Sequence, residues 1–313
     1  MATSSCKQVV SLSILSITAG RCRLFSCSVT LNLVKILVGK LLKQMKDLRF
    51  LLIIWSMLFL AACSKKITGL AQSAQIKVMS YNIHHCNPPS KPDFIDLDAI
   101  VNAIAKENPD VVALQEVDVN TKRNGKVDQA KQLAAKLKMN VFFAKAIDHD
   151  EGDYGVAILS KFKMQDSKII RLTTKPETKS EPRVLATTIL VLPNGKRVKF
   201  GCTHLDAQRD ETNRLLQTRE IAEIGKSDNM PFIIAGDWNA KPGSDPVKIM
   251  DEAFTRTCSN CEFTIPVINP RSTIDFIAYG KGNSFEVISH QVIPERYASD
   301  HLPIVSVLKL KGN

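Results

Sequence analysis

Glycine and proline number only 14 each in 313 residues, which excludes a collagen-like or Pro/Gly-rich disordered chain. Aromatic residues are sparse at 6%, so there is no stripe of alternating basic and aromatic side chains for gripping single-stranded nucleic acid. The chain lacks a second Cys or His pair at zinc-finger spacing to complement Cys258-Ser-Asn-Cys261. It also lacks an internal repeat or a linker that would divide its C-terminal 250 or so residues. What is present is 44% hydrophobic residues, enough to fill a core at this length.

The net charge of +11 is unevenly placed. Residues 1–62 carry eight of the 42 basic residues and one of the 31 acidic ones, leaving 34 and 30, a net of +4, for residues 63–313. Most of the basicity therefore belongs to the leader, and a nucleic-acid surface does not follow from charge alone. Lys161, Lys163, Lys168 and Arg171 cluster, but they read as a solvated strand or loop face.

From Met45 the chain has a short basic start and an apolar run from Phe50 to Leu60, ending Leu60-Ala61-Ala62-Cys63. That is the pattern of a secretory signal peptide, and Phe50–Ala62 falls short of the ~18 residues a membrane span needs. The cysteine after Leu-Ala-Ala resembles the lipobox of bacterial lipoproteins, in which Cys63 is lipidated and becomes the first mature residue. The expected organisation is a leader or non-native upstream extension over 1–44, a signal peptide over 45–62, a lipidated tether over 63–75 and one domain over 76–313. A transit peptide over the acid-free residues 1–44 is the rival reading. The expected location is outside the cytoplasm, lipid-anchored to a bacterial membrane and facing the periplasm or the cell surface. In the sorting scheme of Gram-negative bacteria, Ser64 in place of Asp would favour the outer membrane.

In an exported chain Cys258 and Cys261 read best as a local disulfide, with zinc binding and a CxxC redox motif as competing readings. Cys86 and Cys202 read as small buried apolar residues. Strand character recurs at Ile76–Tyr81, Val111–Leu114, Tyr154–Leu159, Val184–Val191, Val198–Cys202, Phe232–Ala235, Ile274–Ala278, Phe285–Val292 and Leu302–Leu308. Helical spacing runs through Leu97, Ile100, Val101 and Ile104, through Ala130, Leu133, Ala134 and Leu137, and more loosely through Leu215, Leu216, Ile221 and Ile224. Pro193-Asn194-Gly195 marks a hairpin. The pattern predicts a two-sheet sandwich flanked by helices.

Carboxylates and amides stand repeatedly where an apolar strand ends: Asn82, Glu116, Asp237 with Asn239, and Asp300 with His301 before the last strand. Loops gathered on one rim would bring them together, and such oxygen ligands suit a hard cation. Taken alone, each is an ordinary turn residue. Taken in order, seven motifs resemble those of the endonuclease/exonuclease/phosphatase superfamily. They are Tyr81-Asn82-Ile83-His84-His85, Leu114-Gln115-Glu116-Val117-Asp118, Asp153-Tyr154-Gly155 with the strand after it, Thr203-His204-Leu205-Asp206, Gly236-Asp237-Trp238-Asn239, Ile274-Asp275-Phe276 and Ser299-Asp300-His301.

The resemblance implies a four-layered α/β sandwich of two mixed, mainly antiparallel sheets flanked by helices, and a Mg²⁺- or Mn²⁺-dependent phosphoesterase. It makes Glu116 the principal metal ligand, with Asn82 and Asp300 near the same ion. It makes His301 and Asp275 a pair, Asp237 the residue that positions or deprotonates water, Asn239 a holder of phosphate oxygen and His204 a stabiliser of transition-state charge. Tyr154 and Arg183 match phosphate-facing positions; His84 is a further substrate-binding candidate, and with His85 it forms a rim pair that reads as supporting the metal ligands in place of binding the metal directly. The implied partners are a phosphate-ester substrate (nucleic acid, phospholipid or sugar phosphate) and a membrane, with the protein a monomer. A non-catalytic lipoprotein that binds a phosphorylated ligand is the alternative. Against it, every residue of the set is present. A thiol oxidoreductase using the CxxC would keep its activity without Glu116.

Overall fold

Alternation along the strands decides the layers. In β1 (Gln75–Asn82), Val78 points into the space between two sheets while Met79 points out toward helices; Ala113 and Val112 of β2 (Val111–Val119) divide in the same way. Ile233 and Ile234 of β8 (Phe232–Asp237), and Ile277 and Phe276 of β10 (Asp275–Gly280), repeat the division in the other sheet. Strands covered on both faces must be apolar on both, which is why they read as continuous hydrophobic runs.

The computed structural model describes residues 34–44, 75–282 and 284–311. Residues 34–44 are helical with exposed side chains and belong to a separate unit, Met1–Gly69. The expected signal peptide, Cys63 and almost all of the tether lie outside the described residues. No helix among the described residues is long and apolar enough to cross a membrane.

The remaining elements are α1 (Leu97–Glu107), α2 (Gln129–Leu137), β3 (Asn140–His149), β4 (Gly152–Ser160), β5 (Lys163–Arg171), β6 (Val184–Val191), β7 (Arg197–His204), α3 (Thr212–Ser227), α4 (Asp245–Ala253), β9 (Phe254–Arg256), β11 (Phe285–Val292) and β12 (Ile304–Leu310). One six-stranded sheet runs β11-β12-β1-β2-β4-β3 and the other β5-β6-β7-β8-β10-β9. Only β1/β2 and β7/β8 pair in parallel, each through a helical crossover; the other pairs are antiparallel. Helices α1 and α2 cover the first sheet, and α3 and α4 cover the second. The result is the expected four-layered α/β sandwich. Helices α1 and α2 start where the sequence supplies a cap: Asp96 accepts from the Ala99 amide and Asp128 from that of Lys131, both at 3.0 Å.

Three strands escape the sequence reading, and all three are sheet edges: β3, β5 and the three-residue β9. Edge strands carry polar and charged residues that blunt pairing with other chains, so the basic cluster at Lys163, Lys168 and Arg171 turns out to be an edge strand. Helix α4 is also missed; its first turn contains Pro246, which is tolerated there because that amide has no helical partner. The last strand begins at Ile304, two residues later than expected, because Leu302 and Pro303 belong to the loop that delivers His301.

Gly236 of β8 pairs with Thr203 of β7. A Cβ there would meet the Thr203 carbonyl oxygen, which is backbone and cannot swing away. Gly236→Ala is expected to destabilise the protein by about 1–3 kcal/mol, through forced separation of these strands. A urea midpoint unchanged from the parent's would show that the strands part without cost.

Candidate active site

Strand register assembles the site. In the second sheet His204 lies opposite Asp237, and Asp237 opposite Asp275, so three ionisable residues stand side by side across β7, β8 and β10. In the first sheet Asn82 lies opposite Gln115, next to Glu116. A bulge between Leu114 and Val117 puts Glu116 in the left-handed region at φ 57°, which re-aims its carboxylate. Such a backbone is costly for a residue other than glycine and is characteristic of functional positions.

Asn82 bridges the sheets, its side-chain amide donating to Glu116 Oε1 at 3.0 Å and to Asp237 Oδ2 at 3.1 Å. The same Asp237 oxygen lies 3.6 Å from His204 Nε2 and 3.7 Å from His301 Nε2. His301 Nδ1 meets Asp275 Oδ2 at 3.0 Å, an arrangement that fixes the ring and its tautomer. Asn239 donates its backbone N–H to Asp237 Oδ1 at 2.9 Å and its side-chain amide to the Leu205 carbonyl at 3.0 Å. Arg183 approaches His204 Nδ1 at 3.4 Å, and both line a small pocket with Tyr154.

Asp300 stands at the edge of this group. It accepts from the Ser299 hydroxyl at 3.3 Å, and that hydroxyl donates to the Asn82 carbonyl at 2.7 Å. No hydrogen bond or ion pair joins it to Glu116 among the described residues. His84 uses Nδ1 on the Asn87 carbonyl at 2.8 Å, and His85 Nδ1 lies 3.9 Å from Glu116 Oε2. One ligand atom each of His84, His85 and Glu116 fall within 4.8 Å of one another, as do atoms of Asp237, Asp275 and His301.

The electrostatics separate the groups by role. Burial raises the Asp237 carboxyl, and the neighbouring Asp275 raises it further. Burial opposes charge on His301 as well, but Asp275 and Asp237 outweigh it and raise the imidazole to about 10. Burial, with Arg183 beside it, lowers His204 to about 3, so this ring is neutral at pH 7. Glu116 is held well below the usual carboxylate range: burial works against its charge, and the surrounding histidines with the Asn82 amide outweigh it. Burial pushes the Cys202 thiol up to about 12, which leaves it inert as a nucleophile.

Motif reading quoted Asp118 without assigning it a role and did not find several other supporting residues. Asp118 grips Arg123 through two hydrogen bonds of 2.6 and 2.8 Å, and that guanidinium lies over the Tyr154 ring. Arg214 and Gln217 of α3 hold the chain after His204, through the Asp206 carbonyl and amide. Thr264 accepts from Ile274 N with its hydroxyl and from Leu302 N with its carbonyl, so one loop residue touches the neighbours of both Asp275 and His301. Cys258 and Cys261 are joined by a disulfide at the start of that loop.

Asp275→Asn removes the charge that keeps His301 protonated. The alkaline limb of kcat/KM is expected to move down by at least about one pH unit. The pair also stabilises the fold: that contribution is complete below the unfolded histidine value near 6.5 and is lost as pH rises through about 10. An alkaline limb that stays in place would assign it to a different group.

The family model for the endonuclease/exonuclease/phosphatase family matches residues 79–301. No curated protein matches the chain. Similar solved structures include an endonuclease/exonuclease/phosphatase from Beutenbergia cavernae, 22% identical, covering 76% of this chain and 72% of that one at a TM-score of 0.62. A mannosyl-6-phosphatase from Bacteroides thetaiotaomicron is 18% identical, over 76% of this chain and all of that one, with a TM-score of 0.61. The catalytic domain of human Nocturnin, solved with a bound sulfate anion, is 23% identical over 76% and 95% of the two chains, with a TM-score of 0.60. At these identities the likeness is one of fold.

Proposed function

This chain belongs to the endonuclease/exonuclease/phosphatase family, and from that premise we propose that it is a divalent-metal-dependent phosphoesterase that hydrolyses phosphodiesters or phosphomonoesters by in-line attack of water. One observation carries the reading. A single carboxylate oxygen, Asp237 Oδ2, stands within 3.7 Å of His204, His301 and Asn82, with the Asp275 carboxylate behind His301. Asp237 accepts the proton of the attacking water, its raised pKa making it a better base than a free carboxylate. Protonated His301 and buried Arg183 face the phosphoryl oxygens with positive charge, and neutral His204 donates a hydrogen bond to them.

The donor set beside Asn82 fits a divalent cation. Glu116 is held ionised, and buried His85 Nδ1 has no hydrogen-bond partner among the described residues. Glu116 and Asn82, with Asp300 nearby, would hold Mg²⁺ or Mn²⁺, which supplies charge neutralisation at phosphate when bound. A groove of about 660 Å³ opens beside Leu302, the residue after His301, with Phe263 and Arg296 among its lining. It offers an apolar face and a cation to the part of a substrate that does not react.

Nucleic acid, phospholipid and sugar phosphate all present the required phosphate ester. Export and a lipid anchor at Cys63 on a bacterial membrane, read from the sequence, would favour substrates met outside the cytoplasm. The test is hydrolysis of a bis-aryl phosphodiester, an aryl phosphomonoester, plasmid DNA and sphingomyelin, each with Mg²⁺, with Mn²⁺ and with EDTA. Metal-dependent turnover that His301→Ala abolishes is expected. Turnover indifferent to both EDTA and that substitution would sink the proposal.

A further inference from the structure

The phosphoester chemistry above leaves one feature unused, the His84-His85 pair after β1. Here the chain passes through three consecutive non-glycine residues in the left-handed region, His84, His85 and Cys86 at φ 45°, 43° and 62°. L-residues resist that conformation, so the surroundings must impose it. They do: Asp96 N donates to the Cys86 carbonyl at 2.7 Å, Gln129 Nε2 to the His85 carbonyl at 2.7 Å, and the Cys86 side chain is fully buried. The turn brings the two imidazoles together, their centroids 4.4 Å apart and their planes tilted at 56°, on the Glu116 side of the site.

We propose that His84 and His85 join Glu116 as direct ligands of the divalent cation, giving it a mixed nitrogen and oxygen donor set that selects Mn²⁺ or a later first-row ion over Mg²⁺. This rests on the metal-dependent reading above and replaces the supporting role that the sequence suggests for these histidines. Three observations carry it. His84 Nδ1 lies 2.8 Å from the Asn87 carbonyl and must donate there, leaving Nε2 with the free lone pair. A metal-binding histidine usually donates its other ring N–H to a carbonyl in this way. His85 Nδ1 is buried with no hydrogen-bond partner among the described residues, and faces Glu116 Oε2 at 3.9 Å. That distance is too long for a hydrogen bond, yet one ligand atom of each of His84, His85 and Glu116 lies within 4.8 Å of the others, close enough for a single cation to be shared by all three. Imidazole nitrogen suits first-row transition ions, whereas Mg²⁺ prefers oxygen and water, so two nitrogens tilt the selection.

The experiment uses the purified full chain, stripped with EDTA, and Mn²⁺ as the probe. Pulsed electron paramagnetic resonance of bound Mn²⁺ is expected to show coupling to directly bonded ¹⁴N in the unsubstituted protein, a reading that no variant's folding can confuse. Replacing both histidines, as His84→Ala with His85→Ala, is expected to weaken Mn²⁺ binding at least about tenfold and Mg²⁺ binding less than about twofold. Mn²⁺ that binds in a Glu116-dependent manner without nitrogen coupling would overturn these ligands while leaving the metal-dependent phosphoesterase intact. Failure of the unsubstituted chain to bind Mn²⁺ at all would overturn both.

Discussion

Asp237→Asn is expected to lower phosphoester turnover about 10³-fold, a barrier increase of about 4 kcal/mol, while raising the melting temperature of the metal-free protein. The two effects share a cause. Asparagine keeps the shape and can still accept the Asn239 amide through its carbonyl oxygen, but it cannot take a proton from water. The loss is therefore expected in kcat more than in KM. As for stability, Asp237 is buried beside Asp275, and its folded pKa lies above the unfolded value near 3.9. An acid so placed favours folding while protonated and opposes it as pH rises from about 4 through the raised value. At pH 7.5 the substitution removes that opposition, and an increase of roughly 2–4 °C corresponds to each kcal/mol relieved. Calorimetry in EDTA checks the second effect; a lower melting temperature would show that the carboxylate's hydrogen bonds outweigh its desolvation.

Glu116→Gln is expected to bring activity in saturating Mg²⁺ or Mn²⁺ down to that of the parent in EDTA, about 10³-fold or more. Glutamine preserves volume and an acceptor oxygen for the Asn82 amide but removes the charge that holds a cation. Its left-handed backbone at φ 57° remains as strained as the parent's, so folding is expected to change little. The discriminating measurement is activity against metal concentration. A variant that recovers parental turnover at higher Mn²⁺ would show that the remaining ligands suffice, and that Glu116 tunes affinity and not chemistry.

The central strands and the strand-end acids were legible because two causes coincide there. A strand buried on both faces must be apolar throughout, and the rim beyond it is where a polar residue can face water. Asp237 after Phe232-Ile233-Ile234-Ala235-Gly236 shows both. Three of the four edge strands, β3, β5 and β9, were not legible, since a strand such as β5 satisfies a solvent requirement that a loop satisfies equally well. Register supplied what spacing could not. Asp237 opposite Asp275 is a contact across 38 positions of sequence, fixed by antiparallel pairing of β8 with β10. The bulge at Gln115–Glu116 and the left-handed turn at His84–Cys86 left no compositional trace, because neither contains glycine. Thr264, Arg214 and Gln217 act through backbone groups of neighbours, which no short motif records.

The site draws Asn82 and Glu116 from one sheet and His204, Asp237 and Asp275 from the other, while His301 leads into a strand that returns to the first. The order of synthesis then matters. Strands β1 to β4 leave the ribosome first, but β1 lacks its antiparallel neighbour β12 until Ile304–Leu310 emerge. The second sheet is completed in between. A nascent chain thus carries nearly all of the site's side chains before β12 can close against β1, and that closure is expected to be the step that completes the site. Regain of turnover during refolding is accordingly a clock for the docking of chain ends more than 200 residues apart, and it is expected to lag behind the burial of Trp238, which needs only the second sheet and its helices.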